Sequence, residues 1–389
     1  MDPLIQKATE LAKQGSTPYL PIPGRVAYVV SHGQSYASNG YAIRTQGIAK
    51  ALNEHGLETL CFVRQGRPWD LGVSDDSVTP EMHIDGVRYI HTRWPNNKKP
   101  KTNQDKLIAA ADTLEQLFRI YRPSAVIAGS NFLAGLPAWV AAKRLGLPFH
   151  NEVRGFWELS QAAREEGFET TDRFKEDAER DTFVAQKADS VFTLNEPMKQ
   201  ELIKRGVAEQ KIHTVPNGLA RLPKITPASA ELKKRLGIEP ADKVIGYIGS
   251  FSAYEGLDLL LDACTELVQS GEKLKLLLVG DSQPLIESSA AHIADTGLKE
   301  TPPWLIQVGR VPHEHVADYY ALLDAVVIPR KPLAVCQLVP PMKAAEVLAY
   351  GKRLVVSDVA PLAEYADKYE GVVSFEAGSA KSLATAIQR

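Results

Sequence analysis

Cysteine is scarce in this chain of 389 residues, with only Cys61, Cys264 and Cys336. The three are odd in number, far apart and match no metal-binding or redox spacing. A disulfide-stapled secreted domain is therefore excluded. We expect three small buried hydrophobic side chains in a reducing, cytoplasmic compartment.

A surplus of charge is missing as well. Lys and Arg number 45 against 47 Asp and Glu, which gives a formal net charge of −2. Binding to nucleic acid without sequence preference needs a strong basic surplus, so no nucleic-acid partner is expected. Hydrophobic residues make up 44% and charged residues 24%, which is close to an average globular domain and excludes long disorder, collagen and coiled coil.

Long hydrophobic runs do not occur. No stretch approaches the ~18 consecutive apolar residues that a membrane span requires. The first fifteen residues lack the basic-then-apolar order of a signal peptide. The sequence therefore predicts a cytoplasmic location. The only membrane association that it leaves open is contact at the inner face of the membrane.

Several catalytic motifs are absent. No Gly-x-Gly-x-x-Gly follows a predicted strand, Gly351-Lys352 is not followed by Ser or Thr, and no Gly-x-Ser-x-Gly occurs. His313 and His315 are two residues apart and cannot share a helix face, so no zinc motif is present and no metal is expected. Dinucleotide enzymes, P-loop enzymes, serine hydrolases and zinc enzymes are disfavoured.

The chain instead alternates between short apolar strands and helices after a first amphipathic helix. This pattern predicts parallel sheets with helices on both faces. It breaks in the Pro-rich stretch 216–227 and then restarts. At 100–200 residues per domain the length also favours two domains. We predict an N-terminal domain over 1–218 and a C-terminal domain over 219–389. The predicted elements are strands 25–30, 59–63, 125–128, 149–153, 190–194, 244–248, 274–279, 305–308, 325–328 and 353–356, and helices 42–54, 134–144, 173–186, 197–204, 256–268, 284–293, 314–323 and 342–349.

Three loops at the carboxyl ends of predicted strands carry polar or basic residues, and ligands of such folds bind at that edge. In the first loop, Asn39 and Gly40 open a helix. The second loop runs from Gly246 to Gly256. The third follows Ile328 and contains Arg330 and, on one face of the next helix, Lys343 and Glu346. Two cations and a carboxylate in this order favour a diphosphate and a ribose as ligands.

The set of motifs resembles the retaining, nucleotide-sugar-dependent glycosyltransferases of glycosyltransferase family 4, which have the GT-B fold. The resemblance covers nearly the whole chain. It rests on Tyr41 to Leu52, Val215-Pro-Asn-Gly218, Tyr247 to Asp258 with its Tyr-Glu-Gly-Leu-Asp loop, Leu277 to Asp281, Val308 to Pro312, and Lys343 to Gly351. The fold implied is α/β, with two doubly wound Rossmann-like domains facing each other across a cleft.

The resemblance also implies roles. The diphosphate would meet Asn39, Gly40, Ser250, Arg330, Lys343 and the N–H groups of Leu338 and Val339. Glu346 would bind the ribose, Gly309 and Arg310 the base, and Gln337 the sugar. The acceptor would lie near Arg44, Arg154, Trp157 and Glu158 on the first domain. Arg154, Gln337, Lys343 and Glu346 would carry the chemistry.

The chain departs from the family pattern at several positions. Gln337 stands where the family has a glutamate, and Ser250 and Glu255 stand where it often has Arg and Lys. Arg154 falls where many members have His, and His150, four residues earlier, is expected to pack on its strand. In relatives, the segment that corresponds to Phe375–Arg389 is usually followed by helices that cross back to the first domain. We expect these crossover helices to be missing here.

The resemblance implies a metal-independent transferase without a prosthetic group. It would move a sugar from a UDP- or GDP-linked donor to a glycan or lipid-linked acceptor in surface polysaccharide or glycoconjugate synthesis. Two alternatives stay open: a sugar-nucleotide epimerase of the same fold, and a scaffold that binds nucleotide sugar or a partner with little turnover. The basic, aromatic stretch Arg93 to Lys101 is either a solvated loop or a contact with a membrane or a lipid diphosphate.

Overall fold

In a computed structural model, the described residues are 2–15, 18–74, 77–219, 222–280, 302–312 and 315–389. The chain divides into two compact units, Met1–Ala220 and Arg221–Arg389. This division lies next to the boundary predicted at 218/219. The two are called the N-terminal unit and the C-terminal unit below.

The N-terminal unit is an eight-stranded sheet with the order β3-β4-β2-β1-β5-β6-β7-β8, in which only the β3–β4 pair is antiparallel. Helices are inserted between the strands, as parallel connections require. The elements are α1 Pro3–Ala12, β1 Arg25–Val30, α2 Gly40–Glu54, β2 Glu58–Val63, β3 Glu81–Ile84, β4 Val87–Ile90, α3 Asn103–Tyr121, β5 Ala125–Gly129, α4 Phe132–Leu145, β6 Phe149–Glu152, α5 Trp157–Ala162, α6 Asp172–Lys187, β7 Ser190–Thr193, α7 Glu196–Lys204 and β8 Ile212–Thr214.

The middle of this sheet is its core. Five of the six residues of β1 are buried, because this strand is covered by neighbours on both sides and helices on both faces. Strand β1 pairs with β2 on one side and with β5 on the other, so successive strands are added in opposite directions from this point of the sheet. Such a switch point leaves a crevice at the carboxyl ends of the two strands.

The C-terminal unit is a fully parallel six-stranded sheet with the order β11-β10-β9-β12-β13-β14. Its switch point lies between β9 and β12. The elements are α8 Ala230–Arg235, β9 Lys243–Ile248, α9 Leu257–Gln269, β10 Leu274–Val279, β11 Leu305–Gly309, α10 Val316–Leu322, β12 Ala325–Ile328, α11 Ala334–Leu338, α12 Lys343–Ala349, β13 Arg353–Ser357, α13 Ala360–Lys368, β14 Val372–Phe375 and α14 Ala380–Gln388.

The predicted alternation of strands and helices is confirmed, with ends that shift by one or two residues. The prediction was wrong by omission between Val63 and Ala125, where β3, β4 and the long helix α3 lie. The side chains of β3 are half-exposed or exposed, so this strand shows no strong hydrophobic period. The helix α3 does bury residues at helical spacing, Leu107, Ala110, Ala111, Leu114 and Phe118, and the prediction overlooked this period. The elements α5, α8, α11, α13, α14, β8 and β14 were also missed. The predicted helix 284–293 lies outside the described residues, as do His313 and Glu314.

Candidate functional site

A buried carboxylate joins two cations at the switch point of the C-terminal unit. Glu255 ends a 3-10 turn between β9 and α9 and is 2% exposed. Its Oε1 lies 3.0 Å from Nη2 of Arg330, and its Oε2 lies 3.0 Å from Nζ of Lys343. Burial by itself would raise the pKa of this carboxyl, but the charges of Arg330 and Lys343 outweigh burial and lower it to about 2.

The two cations are held from further sides. Arg330 follows β12 and donates from Nη1 to the carbonyl of Val339 at 2.7 Å. Nζ of Lys343 lies 4.7 Å from the ring centroid of Tyr247. Gly249 has a φ of +151°, and a Cβ there would collide with Cε of Lys343. The chain therefore needs glycine at this strand end for the lysine to reach Glu255.

Together, Arg330, Lys343 and Glu255 carry one net positive charge, since two cations face one carboxylate. Glu346 lies one turn along α12 from Lys343. Burial lowers the pKa of that lysine, and the charges of Glu255 and Glu346 offset this effect only in part. The hydroxyl of the buried Tyr320 hydrogen-bonds to Glu346. This places a second, separately held carboxylate beside the charged cluster.

Gln337 lies in α11, next to the residues that follow β12. Its Oε1 accepts from the backbone N–H of Ala360, the first residue of α13, at 3.0 Å. With the carbonyl oxygen used in this way, the NH₂ group is the end of the side chain that can donate to a ligand. A glutamate at this position has no such donor.

The structure corrects the role predicted for Val339. Its N–H donates to the carbonyl of Val335 at 2.9 Å, and its own carbonyl accepts from Arg330. Val339 therefore positions Arg330 and does not offer its N–H to a diphosphate. Leu338 is the last residue of α11.

Three adjacent strands end in glycines at the same edge of the sheet. Gly249 donates to the carbonyl of Val279, and Gly280 donates to the carbonyl of Gly309 at 2.9 Å. Ser250, at the exposed surface, accepts from the hydroxyl of Tyr247 at 2.8 Å through its carbonyl. Arg310 is exposed after β11. Hence Ser250, Arg330, Lys343 and Glu346 lie together, while Gly309 and Arg310 lie two strands further along.

In the N-terminal unit, Arg44 and Arg154 converge on Glu152 at the end of β6. Nε of Arg44 and Nη2 of Arg154 lie 2.7 Å and 2.8 Å from its carboxylate oxygens, and Tyr28 also hydrogen-bonds to Glu152. Burial raises the pKa of Glu152, but the charges of Arg154 and Arg44 outweigh it and lower the pKa.

This network corrects the prediction that Arg44 and Arg154 contact an acceptor. Both are buried. Arg44 donates to the carbonyls of Val215 and Pro216 at 2.9 Å and 3.1 Å, which ties the end of the unit to α2. The nitrogens of Arg154 bond to protein groups, which are Glu152, the carbonyl of Tyr41, Oγ1 of Thr45 and the hydroxyl of Tyr28. Both side chains hold the fold together.

Glu158 is corrected in the same way. It is fully buried, and its Oε1 lies 2.7 Å from Nη2 of Arg205. Trp157, at the start of α5, is 43% exposed and remains available at the surface. Asn39 caps α2 by accepting from the N–H of Ala42 at 3.0 Å, and Gly40 is exposed at the first turn. His150 lies on β6, and burial lowers its pKa.

Two profiles of known families cover most of the chain. Residues 39–218 match the family described as "Glycosyl transferase 4-like domain", and residues 242–389 match "Glycosyl transferases group 1". The two parts of the chain therefore match two families of glycosyltransferase domains. The family resemblance of the motifs is confirmed at this level.

Relatives and solved structures agree with these matches. A "2-deoxystreptamine glucosyltransferase" from Streptomyces kanamyceticus is 26% identical over 196 residues, which are 49% of this chain and 49% of the relative. The chain spans about half the length of the curated relatives it matches. Sucrose-phosphate synthase from Thermosynechococcus elongatus superimposes with a TM-score of 0.73 at 19% identity, covering 94% of this chain and 89% of the other. Anabaena HepE in complex with UDP-glucose superimposes with a TM-score of 0.69 at 15% identity, covering 94% of this chain and 88% of the other. The predicted GT-B fold class is confirmed.

Glu255 makes the charge of this site less positive than the resemblance of the motifs implies. Where the resemblance of the motifs implies a lysine, this chain has a carboxylate that pairs with both Arg330 and Lys343. No local pattern in the sequence identifies this pairing, because Arg330 lies 75 positions from Glu255. The sequence offers one signal: the connection between the predicted strand and helix is short. Its 3-10 turn, Ala253–Glu255, therefore lies close to the switch point.

Two structural absences concern only the described residues. No cluster of three or more His, Cys, Asp or Glu side chains among them is arranged to hold a metal ion. Within the same described ranges, no helix combines the length and apolar character needed to cross a membrane.

Proposed function

We propose that this chain is a retaining, metal-independent glycosyltransferase. It takes a sugar from a UDP- or GDP-linked donor and transfers it to a glycan or a lipid-linked acceptor. One observation carries this proposal: Arg330 and Lys343 meet on Glu255 at the switch point of a fully parallel sheet. In doubly wound folds this is the place where nucleotides bind.

The chemistry follows from the charge of this cluster. When the bond between the sugar and the diphosphate breaks, negative charge grows on the leaving diphosphate. Preorganised cations in a site of low dielectric stabilise that charge without reorganising during the reaction. Arg330 and Lys343 supply those cations, and Glu255 fixes their positions. Because this cluster keeps a net positive charge beside the leaving group, we propose that the reaction has no need of a divalent metal.

We assign the other parts of the donor to the remaining residues, each of which binds a different group. Glu346 is a carboxylate held by Tyr320 and accepts hydrogen bonds from the ribose hydroxyls. Gln337 donates from its NH₂ group to the donor sugar, since its carbonyl oxygen is bonded to Ala360. Gly309 and Arg310 bind the base from the neighbouring strand end. Asn39, Gly40 and Trp157 remain as surface contacts proposed on the N-terminal unit.

The acceptor and the cellular setting are proposed on general grounds. The basic, aromatic stretch Arg93 to Lys101 lies largely at the surface of the N-terminal unit. Lys99 is paired with Asp70 at 3.0 Å, while Lys98 and Lys101 are exposed. Exposed lysines attract anionic membrane surfaces. We therefore place the enzyme in the cytoplasm, with contact at the inner face of the membrane during glycoconjugate synthesis.

A nucleotide-binding series tests the donor site. Thermal shifts are measured with UDP, GDP, ADP and CMP and with their sugars, with and without EDTA. A ligand at ~100 times its dissociation constant adds roughly 2.7 kcal/mol of stability. We expect a shift with one diphosphate, insensitive to EDTA, that Lys343→Ala and Glu346→Ala abolish. Lys381→Ala is the control, since this exposed lysine lies on α14 away from the cluster. A nucleotide shift that survives in Lys343→Ala would refute the assignment.

One observation favours a second candidate, a scaffold with little turnover. Gln337 carries no charge, and its oxygen is engaged by the backbone of α13. Incubation of the wild-type chain with the bound sugar nucleotide separates the two functions. Transfer or donor hydrolysis with retained anomeric configuration supports the transferase, and donor binding with neither product supports the scaffold. Isomerisation of the donor sugar without any acceptor would indicate an epimerase.

A further inference from the structure

Two arginines directly after β2 form a charged feature that the donor site does not use. Arg64 and Arg67 lie in a loop whose backbone is held on both sides. Arg64 N–H donates to the carbonyl of Val30 at 2.8 Å, and Gly66 N–H donates to the carbonyl of Thr92 at 2.8 Å. The loop is therefore fixed against both β1 and the end of β4.

Side chains fix the same loop. Nε2 of Gln65 donates to the carbonyl of Arg93 at 3.0 Å and to Oγ1 of Thr113 at 2.8 Å. Gly66 has a φ of +83°, and a Cβ there would collide with the indole of Trp94. Since the loop cannot relax freely, the two guanidinium groups are kept near each other at the carboxyl edge of the sheet.

Among the described residues, neither guanidinium of this pair has an ion-pair partner, although the charge of Asp70 acts on Arg64. Nε and Nη1 of Arg67 are buried without a hydrogen-bond partner. Burial and the charge of Arg67 lower the pKa of Arg64 to about 10. The nearby carboxylate of Asp70 is held by Lys99 at 3.0 Å and by Nε1 of Trp94 at 3.1 Å. Among the described residues, no ion pair joins a carboxylate to Arg64 or Arg67.

The buried arginines elsewhere in this unit differ from this pair, since each of them forms an ion pair with a carboxylate. They are Arg44, Arg144, Arg154 and Arg180. Withdrawing a charge from water without a partner is energetically costly. Arg64 and Arg67 are half-buried and have no carboxylate partner among the described residues, so they form a position prepared for an anion.

The groups around the pair are neutral and polar. His32 and Tyr36 follow β1 and hydrogen-bond to each other at 3.2 Å. Burial and the charges of Arg67 and Arg64 lower the pKa of His32 to about 4, so the imidazole is neutral at pH 7. The nearby carboxylate of Asp70 is already paired with Lys99, and two guanidinium groups match the oxygens of a phosphate.

We propose that Arg64 and Arg67 form a phosphate-binding subsite for the acceptor. This rests on the proposed transferase function, because the cluster of Arg330 and Lys343 in the C-terminal unit already serves the phosphates of the donor. The acceptor class is then a hydroxyl compound that carries a phosphate or diphosphate group. A water-soluble sugar phosphate and a lipid phosphate share this chemistry.

The test measures phosphate binding directly. Isothermal titration with inorganic phosphate is carried out on wild type, Arg64→Gln, Arg67→Gln and Lys143→Gln. The last is a matched control, since Lys143 is an exposed cation on α4 of the same unit. We expect wild type and Lys143→Gln to bind equally, and each arginine variant to lose about tenfold or more in affinity, as for the loss of a charge-assisted contact. Circular dichroism confirms folding, and Arg64→Gln decides alone if Arg67→Gln does not fold.

Two further arms separate the phosphate sources. Glucose 1-phosphate competes with inorganic phosphate if the site takes soluble phosphates. Phosphatidylcholine vesicles with phosphatidic acid bind wild type, and pure phosphatidylcholine vesicles do not, if it takes a lipid phosphate. Loss of either interaction in Arg64→Gln supports the subsite. The proposal is overturned if wild type binds none of these probes, or if the arginine variants bind them as wild type does.

UDP-glucose and GDP-glucose titrations in parallel keep the two proposals apart. Donor binding unchanged in Arg64→Gln, together with lost phosphate binding, supports both. Phosphate binding at the arginines without binding of any nucleotide sugar refutes the transferase and, with it, the assignment of this subsite to an acceptor. Equal loss of donor and phosphate binding in Arg64→Gln contradicts a separate subsite.

Discussion

At the scale of single residues, two carboxylates, Glu255 and Asp181, respond to burial in opposite ways. Glu255 faces two cations, which outweigh burial and lower its pKa. Asp181 on α6 has burial and the neighbouring charge of Glu158 acting together, which raises its pKa from the usual 3.8 to about 8. One carboxyl is built to stay charged and the other to keep its proton.

Asp181 gives a prediction about pH. A carboxyl whose folded pKa lies above its unfolded pKa contributes stability below about pH 4, and this contribution is lost as the pH rises toward 8. Asp181→Asn cannot ionise and keeps an oxygen that accepts from the N–H of Phe132. We expect the Tm of the variant to rise relative to wild type between pH 5 and pH 8, measured by calorimetry.

The control for this pH effect is Asp172→Asn. Asp172 opens the same helix and is exposed, with a side chain 94% accessible. Its Tm difference from wild type is expected to stay constant over the same pH range. Parallel Tm curves for Asp181→Asn and wild type would contradict the buried, protonated state of Asp181.

At the scale of elements, the end of β9 controls whether the charged cluster can assemble. Gly249 lets the side chain of Lys343 cross the backbone, and β9 and α12 meet there. A β-carbon would both strain a positive φ and push the lysine away from Glu255. The strand end is therefore part of the site, although its residue has no side chain.

We predict that Gly249→Ala loses tenfold or more in affinity for the nucleotide sugar, measured by titration. The comparison is Gly271→Ala, at φ +98° with nothing near its Cβ, which carries the strain without the collision. Both variants should lose stability by about 1 kcal/mol, as expected for alanine at positive φ. Equal donor affinity in the two variants would show that the position of Lys343 does not depend on Gly249.

At the scale of the whole molecule, each unit has its own sheet and its own core. The core of the C-terminal unit includes Leu260, Leu276 and Val327, and that of the N-terminal unit includes Tyr28 and Tyr89. Residues 222–229 between them form no helix or strand, and Leu222 is 78% exposed. Cores of this kind fold as separate domains joined by an accessible segment.

Limited proteolysis tests this division. Trypsin should cut first after Lys224, which is exposed in that segment, and leave two fragments that resist further digestion. Mass spectrometry identifies the site, and circular dichroism of the separated fragments measures their folding. Lys224→Gln should slow the first cut at this position. Early cuts inside either sheet would contradict two independently packed units.

The fold class could be predicted because it depends on local patterns, and the candidate donor residues, which stay a prediction, were chosen on the same kind of pattern. Apolar runs such as that in β1 reveal buried strands, and Lys343 and Glu346 share a face wherever their helix lies. The helix α3 was overlooked although its buried residues, among them Leu107, Leu114 and Phe118, recur at helical spacing. The acceptor residues Arg44, Arg154 and Glu158 were assigned to a surface, yet they are buried and paired with partners distant in sequence.

The sequence by itself determined the alternation of strands and helices, the break near residue 218 and the family, because backbone propensity and motif order act over short distances. Only the tertiary structure decided which charges are neutralised. Arg330 meets Glu255 across 75 positions and Arg44 meets Glu152 across 108, while Arg64 and Arg67 meet no carboxylate among the described residues. The energy of a charge depends on burial and on its neighbours in space, and these are properties of the packed chain.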